Sequence, residues 1–148
     1  MGTGTSQGVP VIGCRCEVCR SADSRDKRLR TSAMVEVGDC RIVIDAGPDF
    51  RQQMLRTDVR TIDAILLTHE HKDHTGGLDD VRAFNFVDYP TIRPVDIYAT
   101  PRTMACIRKD YDYAFATNKY RGVPEIRLHE IDVHKPFTVK DIEIIPIA

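Results

Sequence analysis

Ten residues near the middle of the chain constrain it more than any other stretch: Thr68-His69-Glu70-His71-Lys72-Asp73-His74-Thr75-Gly76-Gly77. Three of the chain's five histidines fall there within six positions, with acids between them. Imidazole and carboxylate together suit Zn²⁺, Mn²⁺ or iron. The apolar run Ala64-Ile65-Leu66-Leu67 comes just before and is short enough to predict a buried strand rather than a helix. Residues 77–86, led by glycine, predict a helix. The cluster is therefore expected on a loop at a sheet edge, where a rigid scaffold presents functional groups. In an extended segment His69 and His71 share a side and can bind one ion. Asp73 and His74 can turn toward a second. Two ions about 3.5–4 Å apart would clamp the attacking and leaving oxygens of a displacement, and a water shared between them would lose its proton near neutral pH and become the nucleophile. The alternative, a polar surface loop, leaves this spacing unexplained.

The flanking sequence predicts an α/β or α+β sandwich in one domain, as a length of 148 residues suits. Residues 33–38 and 40–45 read as strands joined at Gly38-Asp39, a pair that favours a tight hairpin turn. Pro48 suits the first turn of a helix over 49–56. Strands are expected over 63–68, 96–99, 125–131, 137–139 and 142–147. Thr100-Pro101 reads as a cap and first-turn proline opening a helix to about Tyr111. Residues 112–124 read as irregular. The aromatic run Tyr111 to Phe115, with Tyr120, fits core packing, a substrate cleft or a homodimer contact. Hairpins mixed with strand–helix units give the layered class.

A second cluster, Cys14-x-Cys16-x-x-Cys19, places three soft ligands within six residues. No stretch of 18 apolar residues is present, so no transmembrane helix and no membrane partner is expected. The N-terminus carries no basic-then-apolar signal pattern, which points to the cytoplasm. Disulfides are rare in that compartment, so the cysteines ask for a metal. A closed zinc site takes four ligands, and three thiolates lack one. Cys40 and Cys106 fit small core residues, though either stays open as the fourth ligand. Ordinary buried cysteines and a redox pair are the competing readings. The 21 basic and 22 acidic residues leave a net charge of −1, so nucleic acid is not an expected partner. Arg25, Arg28 and Arg30 fit either a solvated face or phosphate recognition.

The string His69-x-His71-x-Asp73-His74, after Ile65-Leu66-Leu67-Thr68, resembles the metal motif of the metallo-β-lactamase superfamily. That resemblance implies an αββα sandwich with a dinuclear site at one sheet edge. It assigns His69 and His71 to the first metal, and Asp73 and His74 to the second, with Asp73 also catalytic. Asp45, in Ile44-Asp45-Ala46-Gly47, resembles the family's aspartate that supports the ligands from behind; a simple helix cap is the alternative. The stretch from Gly2 to Pro10, the three cysteines, residues 21–26 and Gly47-Pro48-Asp49-Phe50-Arg51 resemble one branch of the superfamily. That branch includes the cyclic-phosphate phosphodiesterase of phosphonate degradation. Its members carry a structural zinc on three such cysteines and a distant histidine. Pyrroloquinoline-quinone accessory proteins and tRNA 3′-processing ribonucleases are more distant relatives.

The implied activity is a metal-dependent phosphodiesterase acting on a small cyclic phosphate or nucleotide-like diester. The implied cofactors are two divalent ions, Zn or Mn, and one structural Zn. An RNA-processing nuclease and a non-catalytic metal-binding accessory protein are the alternatives. The family site also uses a later histidine, a bridging aspartate and a last histidine. These are expected beyond Ala148, and the family's first strand before Gly2, so the sequence is expected to be the N-terminal part of a longer protein and inactive alone. His129 and His134 are expected in surface or packing roles.

Overall fold

The fold was analysed in a computed structural model, which describes residues 1–147. Its centre is a five-stranded sheet in the order β1 (Ala33–Val37), β2 (Cys40–Ile44), β3 (Ala64–Leu66), β4 (Val95–Ala99) and β5 (Ile126–Glu130). β1 and β2 form the expected hairpin, with Gly38 at φ +55° in the two-residue turn. A positive φ there costs glycine little. β2 to β5 run parallel and in sequence order. Right-handed crossovers between sequential parallel strands put all their helices on one face.

That face carries the main core. Val43, Ile65 and Ile97, at matching positions on three parallel strands, are fully buried against Phe50, Leu78, Val81 and Ile107. α2 (Phe50–Thr57) and α5 (Pro101–Asp110) supply much of this layer, whereas α1 (Glu17–Arg20), a single turn in the cysteine segment, buries no residue. α5 opens on Thr100, whose hydroxyl accepts from the Thr103 amide at 3.5 Å, with Pro101 in its first turn. Successive residues of a strand face opposite ways. So Cys40, Ile42, Ala64, Leu66 and Tyr98 form a second core with Val139, Phe137, Ile142 and Ile144. These last belong to a two-stranded sheet, β6 (Phe137–Val139) paired with β7 (Ile142–Ile144). The layers are thus helix, sheet and a small second sheet. Among the described residues no helix is long and apolar enough to cross a membrane.

Three elements depart from the sequence expectation. The helix expected over 77–86 is a tight 3₁₀ turn, Leu78–Val81, followed by α4 (Arg82–Asn85). The Gly77 amide is held by the Ala46 carbonyl, and the buried Asn85 side chain bonds the Arg93 and Glu125 carbonyls and the Glu125 amide. The helix stops where Asn85 ties down the next loop. Inside the histidine motif, Lys72–Thr75 forms one turn, α3, where a loop was expected. Within 112–124, Asp112–Phe115 forms another, α6.

Candidate metal centres

The histidine motif leaves the carboxyl end of β3, beside the end of β2. Open α/β sheets offer their binding crevices at this edge. The two strand ends are stitched together: the Asp45 amide bonds the Leu66 carbonyl at 2.9 Å, and the Ala46 amide bonds the His74 carbonyl at 2.8 Å. The fit is close enough to demand glycine. A Cβ on Gly47 would lie 2.0 Å from the Asp73 carbonyl oxygen, and one on Gly77 would lie 2.1 Å from the Gly47 carbonyl oxygen.

His69 stands over both other imidazoles, with ring centroids 4.7 Å from His71 and 4.0 Å from His74. Asp73 lies alongside, its Oδ2 3.2 Å from His74 Nε2. The structure thus brings His69, His71, Asp73 and His74 to one place. Behind them sits Asp45, 3% exposed and at φ +62°. Its carboxylate accepts from the Thr68 amide at 2.9 Å, the Thr68 hydroxyl at 2.9–3.0 Å and His74 Nδ1 at 2.7 Å. Asp45 is not a helix cap; the N-cap of α2 is Asp49, whose carboxylate is turned to Arg30.

The donor set suits a divalent ion on its own chemistry. A carboxylate only accepts, so His74 Nδ1 must carry a proton toward Asp45. In a neutral imidazole the opposite nitrogen then presents a lone pair. That lone pair meets another acceptor, Asp73 Oδ2, at 3.2 Å. Only a proton or a cation relieves two acceptors at that distance. Imidazole plus carboxylate is a donor pair that zinc and manganese accept.

Two residues to which the sequence assigned no role at the motif complete its setting. Thr68 joins Asp45 to His69, with its hydroxyl 3.0 Å from His69 Nδ1. Tyr111, 8% exposed, donates its hydroxyl to the Thr75 carbonyl at 2.8 Å and fixes the end of α3. Of the aromatic run, Tyr111 and Phe115 pack on the core, Tyr113 donates to Asp79 at 2.6 Å, and Tyr120 is exposed. Burial and the Asp79 carboxylate push the Tyr113 hydroxyl well above the usual tyrosine range. Thr68 was visible in the sequence only as a hydroxyl before the first histidine. Tyr111 was visible in the sequence only as part of the aromatic run; nothing there marked its partner, Thr75, which lies 36 positions away.

The three cysteines form the second centre. Among the described residues, Cys14, Cys16 and Cys19 are the one set of His, Cys, Asp or Glu donors whose ligand atoms all lie within 4.8 Å of one another. The histidine motif is a looser array. The Val11 amide points at Cys19 Sγ at 3.4 Å and the Cys19 amide at Cys16 Sγ at 3.5 Å. The Cys19 amide, helped by the neighbouring thiols, draws the Cys16 thiol below its usual range. On Cys19 the Val11 amide acts the same way, but burial and the Cys14 and Cys16 thiols outweigh it and leave that thiol raised. Cys40 is buried in the second core and Cys106 lies on α5; neither joins the set. Three sulfurs at this spacing fit zinc, with one position left for a further donor.

The arginines considered for phosphate are largely engaged. Arg25 pairs with Asp23 at 2.6 Å; Arg30 pairs with Asp49 at 3.0 Å and donates to the Ser6 carbonyl at 2.8 Å. Arg28 is the exception: it exchanges backbone hydrogen bonds with Val9, and its side chain is exposed. His129 bonds Asp96 at 2.7 Å and stacks on Tyr98, a packing role, while His134 sits on an exposed turn.

Residues 40–148 match the family model described as a beta-lactamase superfamily domain. The chain belongs to the beta-lactamase superfamily. Among solved structures of the superfamily, the chain resembles a diphosphatase of the PhnP family with a TM-score of 0.86 and 39% identity, over 99% of this chain and 54% of that one. It also resembles zinc-bound PqqB from Methylobacterium extorquens, with a TM-score of 0.72 and 26% identity, over 93% and 50%. In sequence it is 45% identical to a Porphyromonas gingivalis protein named octanoyltransferase, across 99% of this chain but 29% of that protein. The chain therefore spans about half the length of these solved structures and under a third of that relative.

Proposed function

We propose that this chain carries the metal-binding half of a hydrolase that cleaves small phosphate diesters, such as a cyclic phosphate or a nucleotide-like diester. The observation that carries the reading is the line Asp45–His74–Asp73, which directs a histidine nitrogen and a carboxylate oxygen at one point. Likeness to a PhnP-family diphosphatase supports phosphate as the electrophile. His69 and His71 would hold one divalent ion, and Asp73 and His74 a second, with zinc or manganese suiting these donors. Bound there, such ions polarise a phosphoryl oxygen and acidify a water. Asp45 accepts the hydrogen bond from His74 Nδ1–H and fixes its ring. Asp73, exposed enough to meet substrate, is the residue placed to accept a proton from the attacking water. Cys14, Cys16 and Cys19 would hold a structural zinc that pins the N-terminal loop. We place this activity in the cytoplasm.

The test is hydrolysis of bis(p-nitrophenyl) phosphate, a 2′,3′-cyclic nucleotide and a diphosphate-linked nucleotide by the complete protein with added Zn²⁺ or Mn²⁺. Metal-dependent turnover that Asp73→Ala abolishes supports the reading. No turnover on any of the three, with metal bound, refutes it. That result would favour a non-catalytic accessory role, a reading to which the likeness to PqqB lends weight.

A further inference from the structure

Thr68 makes more hydrogen bonds than its place beside the motif requires. Its amide and its hydroxyl both reach the Asp45 carboxylate, at 2.9 Å and 2.9–3.0 Å, and the same hydroxyl lies 3.0 Å from His69 Nδ1. A threonine hydroxyl has one proton and two lone pairs. A carboxylate only accepts, so that single proton is committed to Asp45. Only lone pairs remain for the contact with His69, and His69 Nδ1 must be the donor. The proton sits on Nδ1 and the lone pair on Nε2. The same bookkeeping at His74, whose Nδ1 lies 2.7 Å from Asp45 Oδ2, places that ring in the same tautomer.

We infer that Thr68 is a positioning residue. It relays the Asp45 carboxylate to His69, so that one buried acid sets the tautomer of two imidazoles assigned to different metal ions. Asp45 reaches His74 directly but reaches His69 only through this hydroxyl. The arrangement explains why the backbone at Asp45 is held at φ +62°: the side chain must face β3 while the chain turns toward Gly47. Without the hydroxyl, His69 Nδ1 faces solvent and both tautomers become available. A share of the molecules then offers the wrong nitrogen, and the ring is free to turn. Loss of such an orienting partner typically costs 10–100-fold in metal affinity.

The inference rests on reading His69 as a metal ligand, and the experiment separates the two. In metal-free protein, long-range ¹H–¹⁵N correlation spectra assign the proton-bearing nitrogen of each imidazole. Co²⁺ titration then reads the two centres apart, because thiolate-to-cobalt charge-transfer absorption marks the cysteine set alone. The wild-type chain is expected to hold His69 in the Nδ1–H tautomer. Thr68→Val should give mixed tautomers at His69, leave His74 unchanged, and weaken Co²⁺ at the histidine set by roughly 10–100-fold without moving the cysteine set. Thr68→Ser should restore both signals, which a merely structural role for the threonine methyl would not predict. A Thr68→Val chain that keeps the single tautomer and wild-type Co²⁺ affinity overturns the inference. A wild-type chain with the expected tautomer but no Co²⁺ at the histidines overturns the metal reading and leaves the hydrogen-bond relay standing.

Discussion

Removing the Asp45 carboxylate tests how much of the site's order is built in before any metal arrives. In Asp45→Ala, the Thr68 amide and His74 Nδ1 both lose their acceptor. Hydrogen bonds to a charged group contribute about 1.5–3 kcal/mol each. Asp45 is buried, so no water replaces the carboxylate cheaply, and the two bonds together amount to about 3–6 kcal/mol. The Thr68 hydroxyl adds little to this sum, because Thr68 lies at the exposed rim and water can take its proton. Alanine at φ +62° adds about 1–2 kcal/mol, a strain that Asp and Asn largely escape. The expected loss is therefore about 4–8 kcal/mol, against a typical domain stability of about 5–15 kcal/mol. Asp45→Asn keeps the backbone and an acceptor for the Thr68 amide but sets an amide group against His74, so it should cost about half as much. Urea unfolding followed by circular dichroism, with midpoints converted through a common m-value, gives both numbers. An alanine variant within about 1 kcal/mol of wild type, or an asparagine variant costing as much as alanine, would refute the argument that Asp45 is the buried anchor of the motif.

Other substitutions probe the remaining parts. Gly47→Ala should destabilise the chain by more than the roughly 1 kcal/mol spread of ordinary glycine replacements, because its Cβ would meet the Asp73 carbonyl at 2.0 Å; a neutral effect in thermal unfolding would show that the loop yields. Tyr113 and Tyr111 are both raised above the ordinary tyrosine value, chiefly by burial. A raised acid binds its proton more tightly in the folded chain, so stability is full below about pH 10 and falls as pH rises beyond it. Tyr113→Phe should flatten that alkaline fall; an unchanged slope in unfolding curves between pH 9 and about 11.5 would contradict the assignment. Cys16→Ser should remove about one zinc per chain by elemental analysis without changing metal at the histidine motif. Equal zinc in the variant would argue against a thiolate site.

Much of this was legible from local spacing. Gly38-Asp39 marked the hairpin, Thr100-Pro101 marked the start of α5, and Ile65-Leu66-Leu67 marked the strand that delivers the histidines. Those signals act within a few residues, and the sequence displays them directly. The layer architecture follows from the same elements through the order of parallel strands. What the sequence hid depends on contacts between distant segments. The helix after Gly77 is cut short because Asn85 is committed to Glu125, 40 positions away. The single turn α3 within the motif is held by Tyr111 from the far end of α5. For Asp45 a helix cap stayed open as the alternative until its carboxylate was seen to face Thr68 and His74 rather than α2. The three cysteines were legible as a group, but only the fold excluded Cys40 and Cys106 as their partner.

The central claim is that His69, His71, Asp73 and His74 hold divalent metal independently of the cysteines. Elemental analysis of the chain purified in the presence of Zn²⁺ tests it most directly, with wild type set beside a His69→Ala/His71→Ala variant and a Cys14→Ser/Cys16→Ser variant. The account predicts that each variant loses its own share of zinc and keeps the other's. Zinc content unchanged by loss of both histidines would contradict it.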